Sequence, residues 1–240
     1  MESYGKKLFE NYNVVRAGLW HGNKETDLRN YEKLMGEIYK RYYKKYFGNN
    51  KNLKILEIGC STGGMLQAIY RDGFRDLVGI DMCEANIKIA KKRNRDIRYF
   101  VGDGLTFLKN SSEEFDVIYS RAVFEHMNKE NVMETIREMK KHCSKKGGVL
   151  IDVPNMDWIY ASHERYMDFT HECGFTEESL IEILKPYFKR IHISYEDTSF
   201  NISARKQIAR YILLKLYQEG GIDISYEKMW SQDIIAFARN

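Results

Sequence analysis

The sequence predicts an α/β fold with a mostly parallel sheet that helices cover on both faces. From residue 53 onward, strand-like apolar runs alternate with helix-like segments, and the connections between them are short. This alternation is typical of a doubly covered parallel sheet. Two further observations support a ligand-binding sheet. The run Lys54–Gly64 ends an apolar strand in small residues, and Asp81 closes the next apolar run 22 residues after Gly59.

The apolar runs predict seven strands, near residues 54–58, 77–81, 97–101, 115–120, 148–153, 188–195 and 233–238. The segments between them predict helices near residues 64–71, 84–94, 104–110, 129–143 and 177–185. Thr176 is the expected N-cap of the last of these, with Glu177 in its dipole-favoured first turn. An insertion separates the sixth and seventh strands. Its helical pattern from Ile208 to Leu216 stops at Gly220, and it is a candidate for covering substrate or binding a second subunit.

A period of 3.6 in apolar residues predicts an amphipathic helix over residues 26–47. Its tyrosines alternate with lysines and an arginine, a mixture that also occurs on RNA-binding surfaces. One packed face and one solvated face explain the pattern better. We expect a single domain over residues 1–240. Its expected parts are a helical lid at 1–50, a cofactor-binding core at 51–160, and a substrate-side loop, insertion and final strands at 161–240.

The composition narrows the class of protein. The chain has 38 basic and 34 acidic residues, a balance that gives no support to nucleic acid as a partner. Its four cysteines are widely spread, so neither a zinc ribbon nor a disulfide framework is predicted. The chain opens without an apolar signal core, and nowhere do 18 apolar residues run together. These features predict a cytoplasmic protein with no membrane span.

The glycine-rich turn fits two adenosine-containing cofactors. Gly59, Ser61 and Gly64 approximate a dinucleotide fingerprint, and Asp81 falls where an acid binds ribose hydroxyls. Glu57 favours S-adenosylmethionine, because a carboxylate at the strand end attracts its positive sulfonium and ammonium groups and repels a pyrophosphate. Asp103, which can accept from an adenine amino group, and an extra last strand after the insertion favour it as well. A nicotinamide-dependent oxidoreductase is the alternative.

At this point the chain resembles the class I S-adenosylmethionine-dependent methyltransferases. The resemblance lies in ILEIGCSTGG, GIDMCEANIKIAKKR, VGDGLTFL, FDVIYSRAVFEHM and GGVLIDVPN, in that order along residues 53–160. It implies a Rossmann-like seven-stranded sheet whose last strand is antiparallel, with S-adenosyl-L-methionine at the carboxyl ends of the first strands. The cofactor-binding residues that it implies are Glu57, Gly59, Ser61, Gly63, Asp81, Met82, Asp103, Gly104, Ser120 and Arg121.

Methyl transfer to a hydroxyl needs a base for the released proton, and two histidines are candidates. His126 follows the fourth strand beside Glu125, although this pair is equally compatible with packing a helix on the sheet. His171 and Asp168 belong to a polar cluster at 163–171, which we expect to be a loop over the cofactor. The same cluster is compatible with a self-satisfying polar turn, and its spacing is too unspecific to predict a metal site.

The stretch RYMDFTHECGFTEESL also resembles small-molecule methyltransferases of bacterial surface-polysaccharide synthesis. That resemblance implies O-methylation of a sugar on a nucleotide-linked or lipid-linked precursor. The residues expected at the acceptor are Trp20, His21, Asn155, Trp158, His163, Arg165 and Tyr166. The alternatives are methylation of another small molecule, RNA or protein, and a non-catalytic cofactor-binding scaffold whose insertion is an interaction surface. A small-molecule or glycan acceptor and a homodimer are the expected partners.

Overall fold

The computed structural model describes residues 25–197 and 202–240. Trp20 and His21 lie outside the described residues. The described chain forms one seven-stranded sheet in the order β3-β2-β1-β4-β5-β7-β6. The strands are β1 Ile55–Ile58, β2 Leu77–Asp81, β3 Arg98–Val101, β4 Phe115–Arg121, β5 Cys143–Pro154, β6 Arg190–Glu196 and β7 Asp233–Arg239.

Helices precede and separate these strands. In chain order they are α1 Glu25–Ile38, α2 Lys44–Phe47, α3 Gly64–Arg71, α4 Glu84–Arg93, α5 Gly104–Asn110, α6 Lys129–His142, α7 Ala161–Met167, α8 Glu177–Leu184, α9 Ala204–Glu219 and α10 Tyr226–Trp230. A π-helical turn, Tyr39–Tyr43, joins α1 to α2, and a 3₁₀ turn, Phe124–His126, follows β4. No helix in the described ranges has the length and apolar character needed to cross a membrane.

The predicted sheet topology is confirmed. Strands β1 to β5 pair in parallel, whereas β7 lies between β5 and β6 and runs antiparallel to both. The segment between β6 and β7, which carries α9 and α10, lets the chain reverse direction before it re-enters the sheet. Since the carboxyl ends of β1, β2 and β4 lie side by side, the residues that follow them meet at one edge.

Alternate residues of the central strands divide the core into two layers. Ile55, Val117 and Leu150 point to the layer that α1 and α3 cover, and Leu56 and Ile118 point to the opposite layer. These five side chains are at most 3% exposed. Strands buried on both faces explain why the sequence shows continuous apolar runs and no strict alternation.

The amino-terminal helix differs from the predicted continuous helix by its π-helical turn. The wider turn buries Tyr39 and Tyr43 completely on the sheet side, where Tyr39 donates to Asp72 Oδ2 at 2.8 Å and Tyr43 donates to Asp152 Oδ2. These two long-range hydrogen bonds give the change of helical pitch a physical reason. The apolar period alone could not reveal it.

The predicted loop at 163–171 is partly helical. Residues Ala161–Met167 form α7, and a turn over 168–171 follows. Arg165 ties the helix to this turn by donating to the backbone carbonyl groups of His171 and Glu172. The expectation of a loop was wrong for the first part of the cluster. The hydrogen bonds of Arg165 stabilise a helix there that the local sequence alone does not specify.

Candidate cofactor and active site

A cleft of about 680 Å³ opens at the carboxyl ends of β1, β2 and β4. This is the edge at which open α/β sheets bind ligands. Most of the residues expected around the cofactor meet here. The predicted residues that line the cleft are Glu57, Gly59, Ser61, Asp81, Met82, Asp103, Gly104, Arg121 and His126.

The loop after β1 has a backbone that leaves no room for larger side chains. Gly59 has a φ of 76°, and a Cβ atom there would lie 2.3 Å from Cγ2 of Val123. Gly63 has a φ of 77°, and its Cβ would lie 2.4 Å from the Tyr99 hydroxyl oxygen. Ser61 adopts a φ of 48°, in the left-handed region that non-glycine residues rarely enter. The loop therefore presents its backbone closely to the cleft.

Asp81 ties this loop to the next strand–helix connection. Its Oδ2 accepts a hydrogen bond from the Ser61 amide at 2.8 Å, and its Oδ1 accepts one from the Cys83 amide at 2.9 Å. Burial raises the pKa of this carboxyl. Asp81 thus contacts the residue that precedes α4, as a simple helix cap would, but it also fixes the glycine-rich loop. Both roles place a carboxylate at the wall of the cleft.

Glu57 supplies the test of whether this cleft fits a positively charged ligand. Its side chain is 4% exposed, and Oε2 has no hydrogen-bond partner within the described ranges. Burial raises the pKa of this carboxyl to about 8, and the nearby charge of Asp81 contributes to the rise. A buried acid with an unsatisfied oxygen is stabilised by a cation that reaches it. The site therefore fits the sulfonium and ammonium groups of S-adenosylmethionine.

The connections that follow the second and third strands shape the far side of the cleft. Asp103 is the N-cap of α5, where its Oδ2 accepts from the Thr106 amide and hydroxyl at 2.8 Å each. A Cβ atom on Gly104 would lie 2.4 Å from Cγ2 of Ile58, so the absence of a side chain allows α5 to approach β1. Met82 is half exposed at the cleft wall and offers an apolar surface to an adenine ring.

Ser120 and Arg121 end β4 in different surroundings. Ser120 is fully buried and is not among the residues that line the cleft. Arg121 lines it, but its guanidinium is held by three carboxylates: Asp152 at 3.1 Å, Glu196 at 2.8 Å and Asp233 at 3.2 Å. Arg121 therefore fastens β4 to β5, β6 and β7 beside the cleft.

A hydrogen-bonded chain connects His126 to the turn after α7. His126 lines the cleft, and its Nδ1 lies 2.8 Å from Oγ1 of Thr170. Thr170 donates its hydroxyl proton to Oδ1 of Asp168 at 2.7 Å, so it accepts from Nδ1–H of His126. Nε2 is then the basic nitrogen of the imidazole. It lies 4.0 Å from Oε1 of Glu125, whose pKa burial raises to about 8.

His171 lies behind His126. The two rings are 4.8 Å apart, and Nδ1 of His171 donates to the carbonyl oxygen of Glu164 at 3.0 Å. Its Nε2 lies 3.8 Å from Oδ2 of Asp168. Both His171 and Asp168 are buried and neither lines the cleft. The two histidines therefore occupy different positions: His126 lines the cleft, and His171 packs behind its ring.

The residues expected at the acceptor do not converge on the cleft. Asn155 is fully buried and holds the α10 segment by donating to the carbonyl groups of Lys228 and Ser231 at 2.8 and 3.0 Å. Trp158 packs against Tyr160 with the two rings tilted by 59° and their centres 5.6 Å apart. His163 and Tyr166 are exposed on α7, and Arg165 anchors that helix as described above.

Several residues of the cleft were missed by sequence reasoning. Tyr31 and Met35 reach it from α1, where their helical spacing predicted only packing. Thr170, which contacts His126 but does not line the cleft, was predicted only as part of the polar cluster. The remaining ones had no predicted role, although most of them lie within the five sequence motifs of residues 53–160; they are Ile58, Ile80, Cys83, Asn86, Gly102, Ala122, Val123, Met127, Asn128, Asn131 and Glu172.

Relatives with assigned activities are methyltransferases. The chain is 31% identical over 166 residues to a ubiquinone biosynthesis O-methyltransferase of Pelagibacter ubique, covering 65% of this chain and 67% of the relative. Two Bartonella proteins of the same description are matched over less than half of their length. A phosphoethanolamine N-methyltransferase of Plasmodium falciparum is 31% identical over 159 residues, covering 60% and 58%.

Solved structures share the fold at low sequence identity. A SAM-dependent methyltransferase from Archaeoglobus fulgidus has a TM-score of 0.71 and 19% identity, covering 95% of this chain and 99% of that chain. The plantazolicin methyltransferase BpumL in complex with SAH has a TM-score of 0.55 and 20% identity, covering 98% and 97%.

The family model described as "Methyltransferase domain" matches residues 28–187, which is more than half of the chain. The match includes the glycine-rich loop, Asp81, Asp103 and the β4 motif. The cofactor is S-adenosylmethionine, and this excludes the nicotinamide alternative. From the fold, the acidic cleft and this match, the chain belongs to the class I S-adenosylmethionine-dependent methyltransferase family.

Proposed function

We propose that the protein transfers a methyl group from S-adenosylmethionine to a hydroxyl of a small molecule, with a sugar or sugar-linked precursor as the acceptor. The single observation that carries the proposal is the chain Asp168–Thr170–His126, which ends at the cleft. A hydroxyl must lose its proton during methylation, and a neutral imidazole with a fixed tautomer is suited to accept it.

When bound, the cofactor supplies a methyl group on a positively charged sulfur. The residues of the chain then have distinct tasks. Glu57 holds the positively charged sulfonium and ammonium groups of the cofactor, and Asp81 holds its ribose. The loop from Gly59 to Gly63 approaches the cofactor through its backbone. Their burial and contacts keep the methyl donor in one orientation, which is the main requirement for an in-line displacement.

His126 takes the acceptor proton on Nε2. Its Nδ1 stays protonated because Thr170 accepts from it and is itself oriented by Asp168. The resulting imidazolium has Glu125 beside it at 4.0 Å, and a positive ring there favours the ionised form of that carboxyl. Asp168 and Thr170 are positioning residues in this scheme, since they act through His126.

Two observations support a sugar as the acceptor. Asn128, Asn131 and Glu172 line the cleft beyond His126, and amide and carboxylate groups are suited to binding several hydroxyls at once. The segment from Arg165 to Leu180 resembles sugar methyltransferases of surface-polysaccharide synthesis. The O-methyltransferase relatives support transfer to oxygen, whereas the N-methyltransferase relative makes an amine the competing acceptor.

An acceptor panel tests the proposal. The purified protein is incubated with S-adenosylmethionine and nucleotide sugars, free glycans, phenols, primary amines, RNA or protein, and products are read by the mass gain of one methyl group. Methylation of sugar hydroxyls that His126→Ala abolishes is the expected result. Phenol methylation with no sugar product would overturn the sugar assignment. Methylation confined to amines would overturn transfer to oxygen, and methylation confined to RNA or protein would overturn a small-molecule acceptor.

A further inference from the structure

Helix α9 carries an exposed apolar stripe that the methyltransferase site does not use. Of its 16 residues only Leu214 is buried. Ile208, Ile212 and Leu216 are 60%, 54% and 62% exposed, although they recur every fourth residue as core positions do. Exposure of three large aliphatic side chains in line is a feature of an interaction surface.

The outer face of α9 combines this stripe with two opposite charges. With about 3.6 residues per turn, six residues fall within an arc of about 100° on the side opposite Leu214. They are Arg205, Ile208, Ala209, Ile212, Leu216 and Glu219, and all six are exposed. We name this set the α9 stripe. It has a cation at its first end, a carboxylate at its last end and aliphatic side chains between them.

These charges oppose the dipole of their own helix. The first turn of α9 contains Arg205 and no acid, and the last turn contains Glu219 and no base. A cation at a helix N-terminus and an anion at a C-terminus are both unfavourable within the helix. A second helix that runs antiparallel would compensate both ends, because its acid would meet this base and its base would meet this acid.

Five of the six residues of the α9 stripe are spaced symmetrically about Ile212, and only Ala209 has no counterpart in the set. Arg205 and Glu219 each lie seven residues from it, and Ile208 and Leu216 each lie four residues from it. In an antiparallel pair centred on Ile212, residues at equal distances on opposite sides face each other. Arg205 then meets Glu219 of the second copy, Ile208 meets its Leu216, and the two Ile212 side chains meet on the axis. This self-complementarity is what a two-fold interface requires.

We propose that the α9 stripe is the interface of a homodimer in which two copies of α9 pack antiparallel about a two-fold axis at Ile212. A second copy fits better than an anionic membrane surface, because Arg205 and Glu219 at the two ends of the stripe are opposite in sign and pair with each other across a two-fold axis, whereas such a surface would attract only the cation. One pair of helices about 24 Å long buries a small area, so we expect a weak, reversible dimer.

Analytical ultracentrifugation of the full chain over a range of concentrations tests the proposal. Wild-type protein shows a reversible monomer–dimer equilibrium. Ile212→Glu places two carboxylates face to face on the axis and shifts the protein to monomer. Phe169→Glu, a change at a residue that is 92% exposed on another element, leaves the equilibrium unchanged. A wild-type protein that stays monomeric, or an Ile212→Glu protein that still dimerises, overturns the proposal.

Charge reversal tests the antiparallel register. Arg205→Glu and Glu219→Arg each weaken the dimer, because each places like charges opposite one another. The double variant restores the dimer, because the carboxylate introduced at position 205 of one copy then faces the guanidinium introduced at position 219 of the other. Failure of the double variant to recover overturns the register. Co-sedimentation of monomer with phosphatidylglycerol vesicles, without self-association, identifies a membrane as the occupant and also overturns the proposal.

Oxidative cross-linking gives an independent readout. Ile212→Cys brings two thiols together on the axis, and a covalent dimer forms under mild oxidation. Gln207→Cys is the matched control, because this exposed residue of α9 lies on the same side as Leu214 and away from the stripe. Equal cross-linking of both variants contradicts the proposed geometry.

Discussion

The Nδ1 atom of His126 lies 2.8 Å from Oγ1 of Thr170, and this contact determines which nitrogen of the ring is the basic one. Because Thr170 gives its own proton to Asp168, it can only accept from the imidazole. The base proposed here therefore depends on a residue that does not line the cleft. Thr170 lies 44 positions away along the chain, and the turn after α7 brings it into place.

Replacement of this hydroxyl tests its positioning role. Thr170→Val keeps the shape and removes the acceptor, so we expect kcat to fall about tenfold, or roughly 1.4 kcal/mol. KM for the acceptor stays nearly constant, since Thr170 does not touch it. Thr170→Ser restores kcat. Steady-state kinetics measures all three proteins, and a Val variant with wild-type kcat and pH profile would contradict the tautomer assignment.

The two histidines give different losses of turnover. His126→Ala lowers kcat by about 10²–10⁴-fold, the usual contribution of a general base, and leaves cofactor affinity intact. His171→Ala removes a ring that packs behind His126, and we expect it to lower kcat by a smaller factor. Single-turnover rates with saturating cofactor measure both, and calorimetry confirms that the cofactor still binds. A larger loss for His171→Ala than for His126→Ala would reverse the assignment.

The fold was predictable because its central strands are buried on both faces. The run that forms β2 has the bounds that were predicted, 77–81, since its apolar residues end at an acid. Strand β5 begins at Cys143, five residues before the expected start at 148, because it pairs there with Phe115 across an irregular register. Pairing with a distant partner leaves no local signal.

The site was predictable where backbone geometry requires particular residues. Gly59 and Gly63 occupy positive φ values, so their role was visible in the sequence. The residues on the acceptor side of the site were not predictable in this way. Asn155 has the polar character of a ligand-binding residue, yet it satisfies backbone carbonyl groups of a segment more than 70 residues away. Only the tertiary structure distinguishes these two uses of a buried amide.

The buried acid Glu57 makes cofactor binding depend on pH. Burial raises its pKa to about 8, so below that pH the free protein carries it largely protonated, and binding of a cation must release the proton. Affinity for S-adenosylmethionine therefore rises with pH up to about 8. The amino group of the cofactor titrates in the same range, so Glu57→Gln is the control. Calorimetry should give weaker binding and a flatter profile for Glu57→Gln; identical profiles would remove Glu57 from this role.

Gly59→Ala tests the close approach of the glycine-rich loop to the turn after β4. The new methyl group would lie 2.3 Å from Cγ2 of Val123, at a φ of 76°. Both the clash and the strained backbone lower the free energy of unfolding, by about 2–4 kcal/mol together. Urea denaturation measures the change. Gly59→Ala combined with Val123→Ala should recover part of it, whereas the absence of any loss would show that the loop can shift freely.

Arg121 offers the strongest test of the scaffold beside the cleft. Its guanidinium is the shared cation of Asp152, Glu196 and Asp233, and burial raises the pKa of all three acids, that of Glu196 to about 7. Arg121→Met leaves three buried carboxyls without their cation, and we expect a loss of about 3–5 kcal/mol at pH 8.

The pH dependence of this loss follows from the raised pKa values. A carboxyl whose pKa is higher in the folded protein binds more protons there than in the unfolded chain, so the free energy of unfolding falls as pH rises through that range. Removal of the cation raises these pKa values further. The deficit of Arg121→Met should therefore shrink when the pH is lowered from 8 to below about 7, where the three acids accept protons. Arg239→Met, at the exposed end of β7, is the matched control and should show a small, pH-independent change in urea midpoint. Equal midpoints for the two variants at pH 8 would mean that the three carboxyls do not need the guanidinium.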